Sequence, residues 1–178
     1  MSRFKHLLTT PAEFSNTESK IIGVFPFNAL IDPAKTDVHS GRIEFLESGI
    51  EGLKLLGKKN ISVVLMINQF KQRQVSMDNF QMLNQTVERF ITSKGVSVAG
   101  LYWCPSIVKF DPYVVPNAGM FNRATENQQI NWDNIPVVST SDDDLIAASK
   151  VNAQAIKIGS GSNKWTHFNT FYDWVTQL

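Results

Sequence analysis

The stretch that decides the fold is Val24-Phe25-Pro26-Phe27-Asn28-Ala29-Leu30-Ile31, which overlaps the end of an apolar run over residues 21–27. A short apolar run of this kind is typical of a strand that is buried on both faces of a parallel sheet. Ligands of such sheets bind beyond the carboxyl ends of the strands, so the residues at this strand end are candidate site residues. They include two phenylalanines and one asparagine but no carboxylate.

Predicted strands and helices alternate along the rest of the chain. Apolar residues at helical spacing predict a helix over residues 43–56 and a second helix behind Ser76, which can cap it. Five such alternations predict an α/β fold: a three-layer Rossmann-like domain with a mostly parallel central sheet of about five strands, flanked by helices and without a large cap domain. The other predicted strands cover 61–67, 98–103, 135–139 and 155–158, and the other helices cover 118–127, 142–151 and 165–178.

Composition limits the possible functions. The chain has 178 residues, of which 43% are apolar and 19% charged, as in an ordinary globular chain. We expect an N-terminal extension at residues 1–20 and a single domain at residues 21–178. A net charge of +1 without long runs of one sign argues against nucleic-acid binding. No stretch approaches about 18 consecutive apolar residues, so no membrane span is expected. The single cysteine, Cys104, favours a cytoplasmic location.

At the predicted strand ends, the sequence resembles the haloacid dehalogenase-like phosphatases, and it is most similar to the branch with histidinol-phosphate phosphatase and heptose-bisphosphate phosphatase. The resemblance covers roughly residues 21–160 and depends on the order and spacing of its motifs. These are Ala29-Leu30-Ile31, residues 48–56 (Ser-Gly-Ile-Glu-Gly-Leu-Lys-Leu-Leu), Asn68-Gln69, Leu101-Tyr102-Trp103-Cys104-Pro105, Pro116-Asn117-Ala118-Gly119-Met120 and Asp144-Leu145-Ile146-Ala147-Ala148.

The resemblance implies that the catalytic carboxylates are missing. In the family an aspartate attacks phosphorus, and a second aspartate two residues later donates a proton to the leaving group. Phe25 stands at the first of these positions and Phe27 at the second. Ile67 replaces the hydroxyl residue that holds a phosphate oxygen, and Val115 replaces the lysine that neutralises the phosphate.

The metal sites implied by the resemblance are also incomplete. Ser139 and Thr140 replace a Gly-Asp pair, whereas Asp144 matches the last magnesium-binding carboxylate. One carboxylate does not hold magnesium, which needs several oxygen ligands, so we predict no metal and no cofactor. Cys104 matches the start of the zinc loop of this branch, but Ser106 replaces its histidine, and we predict no zinc.

Three interpretations of the function remain open at this stage. The first is a catalytically inactive relative that acts as a binding or scaffold protein. The second is a residual magnesium-dependent phosphatase for a small sugar or amino-alcohol phosphate, with a rearranged site made of Asp32, Asp142 and Asp144. The third is a binder of an uncharged or lipid-like ligand in an apolar pocket. The candidate pocket residues are Phe25, Phe27, Asn28, Ile67, Asn68, Ser139, Thr140 and Asp144, with Val115 as a further apolar lining residue.

Two surface features are candidates for partner contacts. Lys71 and Arg73 lie in the loop after the second predicted strand and could contact an anion, although a solvated loop is favoured. Near the C-terminus, five aromatic residues exceed what one helix face normally buries. We therefore expect an unknown protein partner or self-association through this segment, which contains Trp165, Phe168, Phe171, Tyr172 and Trp174.

Overall fold

The computed structural model describes residues 20–69, 75–161 and 163–178. Its strands are Ile21–Val24 (β1), Ser62–Asn68 (β2), Val98–Cys104 (β3), Pro136–Ser139 (β4), Gln154–Ile158 (β5) and Thr166–Phe168 (β6). They form one sheet in the order β3-β2-β1-β4-β5-β6, and every neighbouring pair is parallel. The predicted parallel sheet is confirmed, with six strands rather than about five.

Helices cover both faces of this sheet. They are Pro26–Ala29 (α1), Glu47–Lys58 (α2), Met77–Ser93 (α3), Gly119–Gln128 (α4), Asp142–Ser149 (α5) and Phe171–Val175 (α6). Ser76 caps α3 as predicted, because its side chain accepts a hydrogen bond from the N–H of Asn79. Within the described residues, no segment forms a large cap domain, and no helix has the length and apolar content needed to cross a membrane.

The core consists of two apolar clusters, one on each face of the sheet. Along β2, Val63, Leu65 and Ile67 contribute to the cluster under α2, α3 and α6. Val64 and Met66 point the other way and contribute to the cluster under α4 and α5. Successive side chains of a strand alternate between faces, so this fully buried strand needs apolar residues at consecutive positions. The predicted three-layer architecture is therefore confirmed.

The first strand is shorter than predicted. β1 ends at Val24, and α1 begins at Pro26, so the predicted strand over residues 21–27 is wrong at its end. Proline has no N–H to donate to a strand ladder, and its fixed φ suits the first turn of a helix. In α1, the N–H of Leu30 donates to the carbonyl oxygen of Pro26 at 2.9 Å. The turn of α1 therefore directs the following residues away from the sheet.

The next helix also begins later than predicted. α2 starts at Glu47 rather than near residue 43. The preceding segment forms two isolated antiparallel bridges, which pair Ile31 with Phe45 and Asp37 with Arg42. Ile43 is therefore an apolar residue of this connection and not of the helix.

The predicted closing helix over residues 165–178 is wrong in its first half. Residues 166–168 are the edge strand β6, which pairs with β5. A helix begins only after Thr170, whose side chain accepts the N–H of Asp173 while the Asp173 carboxylate accepts the N–H of Thr170. This capping box fixes the start of α6. Trp165 and Phe168 consequently do not share a helix face with Tyr172.

Two buried glycines of α2 allow close packing of neighbouring segments. A Cβ atom at Gly49 would lie 2.9 Å from the carbonyl oxygen of Leu30. A Cβ atom at Gly52 would collide with the ring of Phe171 in α6, which is fully buried. The glycine spacing of the motif at residues 48–56 therefore serves helix packing.

We predict that Gly52→Ala lowers the free energy of unfolding by about 1–3 kcal/mol, because the added methyl group displaces the Phe171 ring. Urea unfolding followed by circular dichroism measures this difference. Lys58→Ala, at an exposed position of the same helix, is the matched control and should change stability by less than about 0.5 kcal/mol. Equal stability of Gly52→Ala and the native chain would contradict the packing of α6 on α2.

Candidate functional site

The candidate site lies at the carboxyl ends of β1 and β4. The chain places β2 and β3 on one side of β1 and β4, β5 and β6 on the other, so the strand order reverses there. Ligands of open parallel sheets bind in the crevice beyond such a reversal. Backbone hydrogen bonds join the two segments: Phe25 N–H donates to the carbonyl oxygen of Val138 at 3.2 Å, and Thr140 N–H donates to that of Asn28 at 3.0 Å.

A buried carboxylate organises this crevice. Asp144, in the first turn of α5, is fully buried. Its Oδ2 atom accepts hydrogen bonds from Asn28 Nδ2 at 2.7 Å and from Ser139 Oγ at 2.6 Å. The Ser139 hydroxyl oxygen in turn accepts the N–H of Ser141 at 3.0 Å. We call Asn28, Ser139 and Asp144 the Asp144 cluster; it connects α1, β4 and α5.

The two phenylalanines that the resemblance places at the aspartate positions are core residues. Phe25 is 2% exposed and packs against Phe121 of α4, with ring centroids 6.0 Å apart. Phe27 is 9% exposed and belongs to the apolar cluster on the opposite face of the sheet. Val115 lies in the cluster of Phe25, and Ile67 lies in that of Phe27. The prediction that these four side chains line a ligand pocket stays a prediction.

The polar residues after β2 bind to the protein itself. Asn68 is buried, and its Nδ2 donates to the carbonyl oxygen of Tyr113 at 3.3 Å. Gln69 is also buried, and its Nε2 donates to the carbonyl oxygen of Val75. Both amides therefore hold neighbouring loops against the end of β2. Of the remaining candidates, Asn28 is half-buried and Thr140 is exposed.

The carboxylates of the alternative phosphatase site have separate partners. Asp32 accepts the N–H of Ala34 at 2.9 Å and forms an ion pair with Lys35 at 3.7 Å. Asp142 accepts hydrogen bonds from Lys157 Nζ at 2.7 Å and from Trp165 Nε1 at 3.2 Å. The hydrogen bond from Lys157 is the largest of the effects that lower the pKa of Asp142. Neither carboxylate joins the Asp144 cluster through these contacts.

The residues around Asp144 do not fit a magnesium ion of the kind that the resemblance implies. Magnesium requires several oxygen ligands in octahedral geometry. Here Asp144 Oδ2 accepts hydrogen bonds from the Asn28 amide nitrogen and from the Ser139 hydroxyl. In residues 20–69, 75–161 and 163–178, no group of three or more His, Cys, Asp and Glu side chains is placed to hold a metal.

Cys104 is buried at the end of β3, and burial raises the pKa of its thiol to about 12. A thiol with this pKa is neutral at physiological pH and is a poor nucleophile or metal ligand. Lys71 and Arg73, the predicted candidates for an anion contact, lie outside the described residues.

Solved structures with this architecture include phosphatases. A D,D-heptose 1,7-bisphosphate phosphatase from B. bronchiseptica, complexed with magnesium and phosphate, matches with a TM-score of 0.75 and 16% identity, over 89% of this chain and 97% of its own. A putative HAD-like phosphatase from Mesorhizobium loti matches with a TM-score of 0.72 and 16% identity, over 95% and 90%. The heptose-bisphosphate phosphatase from Burkholderia thailandensis matches with a TM-score of 0.66 and 13% identity, over 89% and 97%.

The chain therefore has the fold of the haloacid dehalogenase-like phosphatases, and heptose-bisphosphate phosphatases are among its structural neighbours. The resemblance found in the sequence is confirmed at the level of the fold. No protein-family model and no curated protein sequence matches this chain.

Sequence reasoning identified the members of the Asp144 cluster but missed their hydrogen bonds. Asn28 and Asp144 are both predicted pocket residues, but nothing in the sequence predicts that they bind each other. They are 116 positions apart in the sequence. The available signal was that both follow the carboxyl ends of strands, which meet at one edge of a parallel sheet.

We predict that Asp144→Ala lowers the free energy of unfolding by about 2–4 kcal/mol, because it leaves the buried Ser139 hydroxyl and the Asn28 amide without their shared acceptor. Thermal and urea unfolding measure the loss. Asp133→Ala, at an exposed position, is the control for removing one carboxylate and should be within about 0.5 kcal/mol of the native chain. If both variants unfold like the native chain, the Asp144 cluster does not hold the fold together.

Proposed function

We propose that this protein is a catalytically inactive relative of the haloacid dehalogenase-like phosphatases and acts as a binding or scaffold protein. The observation that carries the proposal is the burial of Phe25 and Phe27, at 2% and 9% exposure, together with the resemblance that assigns them to the positions of the two catalytic aspartates. A phenyl ring neither attacks phosphorus nor transfers a proton. In a well-studied hydrolase, loss of the nucleophile alone costs on the order of 10⁶ in rate.

The surroundings of these rings support the same conclusion. Ile67 and Val115, at the phosphate-binding positions, are each 1% exposed and apolar. A phosphate group buried among apolar side chains without a cation or donors is strongly disfavoured. The heptose-bisphosphate phosphatase neighbour holds magnesium and phosphate, whereas the retained carboxylate of this chain accepts hydrogen bonds from neutral donors.

We predict no phosphate release by the native chain from a panel of phosphorylated sugars and amino alcohols with magnesium. A heptose-bisphosphate phosphatase assayed beside it shows that the conditions permit turnover. Asp144→Asn is the matched variant, since the alternative, a residual magnesium-dependent phosphatase, needs this carboxylate. Turnover by the native chain that disappears in Asp144→Asn would overturn the proposal in favour of that alternative. Turnover that is equal in both would overturn it in favour of a site elsewhere in the chain.

A loop at the same end of the sheet supports the binding role. It follows β3 and exposes Ile107 (42%), Val108 (58%) and Phe110 (89%). The base of this loop is fixed, because Asn117 Nδ2 donates to the carbonyl oxygen of Asp111 at 3.0 Å and Asn68 Nδ2 donates to that of Tyr113. Apolar side chains presented on a held backbone are typical of protein-binding surfaces.

The C-terminal aromatic segment supports self-association less well. Phe171 and Trp174 are buried in the core of the domain, at 0% and 3% exposure. Tyr172 is 42% exposed, and Trp165 and Phe168 are half-buried. Two of the five aromatic residues are thus used for folding, so we propose another protein as the partner and the loop after β3 as its contact.

We predict a mass of 20.0 kDa in light scattering at every protein concentration tested. A heavier species that becomes monomeric in Tyr172→Ser would instead establish self-association through the C-terminal segment. One that becomes monomeric in Phe110→Ser would show that the partner at the loop is a second copy. Both substitutions are at exposed positions, so we expect each variant to unfold like the native chain.

The proposal includes three expectations from composition. A cytoplasmic location is proposed because Cys104 is the only cysteine. Binding of nucleic acid or of a membrane is not part of the proposed function, given a net charge of +1. Neither magnesium, zinc nor another cofactor is required for it.

A further inference from the structure

The fully buried carboxylate of Asp144 lies at the carboxyl end of the sheet. The resemblance of the sequence to the family implies that a carboxylate at this position would bind magnesium. A carboxylate in such a place is costly unless a cation or hydrogen-bond donors compensate its charge. Two described groups donate to Asp144 Oδ2: the Asn28 amide at 2.7 Å and the Ser139 hydroxyl at 2.6 Å. These lengths are typical of the stronger hydrogen bonds that ionised acceptors make.

We propose that Asn28 and Ser139 replace the divalent cation at Asp144, and that the former metal locus is a metal-independent structural clamp. The Asn28 amide presents the positive end of its dipole to Asp144 Oδ2, which is the electrostatic task that a cation performs in a magnesium site. The chain thereby compensates this carboxylate with its own residues and without a ligand.

The clamp joins segments that a bound cation and substrate would otherwise hold together. Asn28 belongs to α1, Ser139 to β4 and Asp144 to α5. Two backbone N–H groups reinforce the clamp. Thr140 N–H donates to the Asn28 carbonyl oxygen at 3.0 Å, and Ser141 N–H donates to Ser139 Oγ at 3.0 Å. Protein groups of the clamp therefore join the ends of β1 and β4.

Asn28 is the residue on which this conversion depends. An aspartate at position 28 would place a second carboxylate beside Asp144, with the Ser139 hydroxyl as a further oxygen. Two close carboxylates repel each other in a buried site, and a divalent cation relieves that repulsion by binding both. A change of one side-chain nitrogen to oxygen should thus convert a metal-independent fold into one that magnesium stabilises.

The test compares melting temperatures in EDTA and in millimolar magnesium. We expect the native chain to melt within about 1 °C in the two buffers, because a ligand that does not bind the folded state does not stabilise it. We expect Asn28→Asp to melt at least about 5 °C below the native chain in EDTA, and to regain part of that loss with magnesium. Asn131→Asp, the same change at an exposed position, should melt like the native chain in both buffers.

Native protein that melts several degrees higher in magnesium, with the increase lost in Asp144→Asn, would overturn the inference. So would an Asn28→Asp variant as stable in EDTA as the native chain. If Asn28→Asp does not fold, Asn28→Ala takes its place: it removes the amide donor, and its melting temperature must fall in both buffers alike. The clamp does not rest on the proposed function. The phosphatase assay measures turnover, whereas the melting temperatures measure stabilisation by magnesium, so the failure of one is distinguishable from the failure of the other.

Discussion

The hydrogen bonds to the buried carboxylate of Asp144 are the constraint on which the functional end of this molecule depends. In an open parallel sheet, a crevice lies beyond the carboxyl ends of the strands where the strand order reverses, and here the segments after β1 and β4 share one hydrogen-bond partner. Asp144 is that partner for the Asn28 amide and the Ser139 hydroxyl. Because these groups hydrogen-bond to one another, side chains of the protein itself stabilise the crevice.

Apolar packing completes the same arrangement. Phe25 and Phe27 precede Asn28 in the chain, and each ring is buried in a different apolar cluster. Each ring therefore adds buried apolar surface at this end of the sheet. The two residues on which the proposed inactivity rests are thus also residues of the core. A fold alone does not determine an activity.

Much of this architecture is predictable from local patterns. The run at β2 is apolar at consecutive positions because both of its faces are covered, and Ser76 precedes α3 because a helix N-terminus needs an acceptor for its free N–H groups. Where prediction failed, a local signal competed with the pattern. Pro26 ended β1 early, and Thr170 with Asp173 started α6 inside a stretch that was expected to be one helix. At these two boundaries the local signals in the sequence, and not the apolar spacing, decide where the strand ends and the helix begins.

The candidate site was less predictable, for a different reason. Residue identity shows that Phe25 and Phe27 cannot act as aspartates, but only the fold shows that Asn28 and Asp144 meet. Their separation along the chain leaves no periodicity or spacing that could report the contact. The exposed apolar surface of the loop after β3 was not predictable either, because the sequence does not show that the Phe110 side chain is 89% exposed. This loop lies at the same end of the sheet as the Asp144 cluster, and the binding role proposed for it rests on the exposure of its apolar side chains.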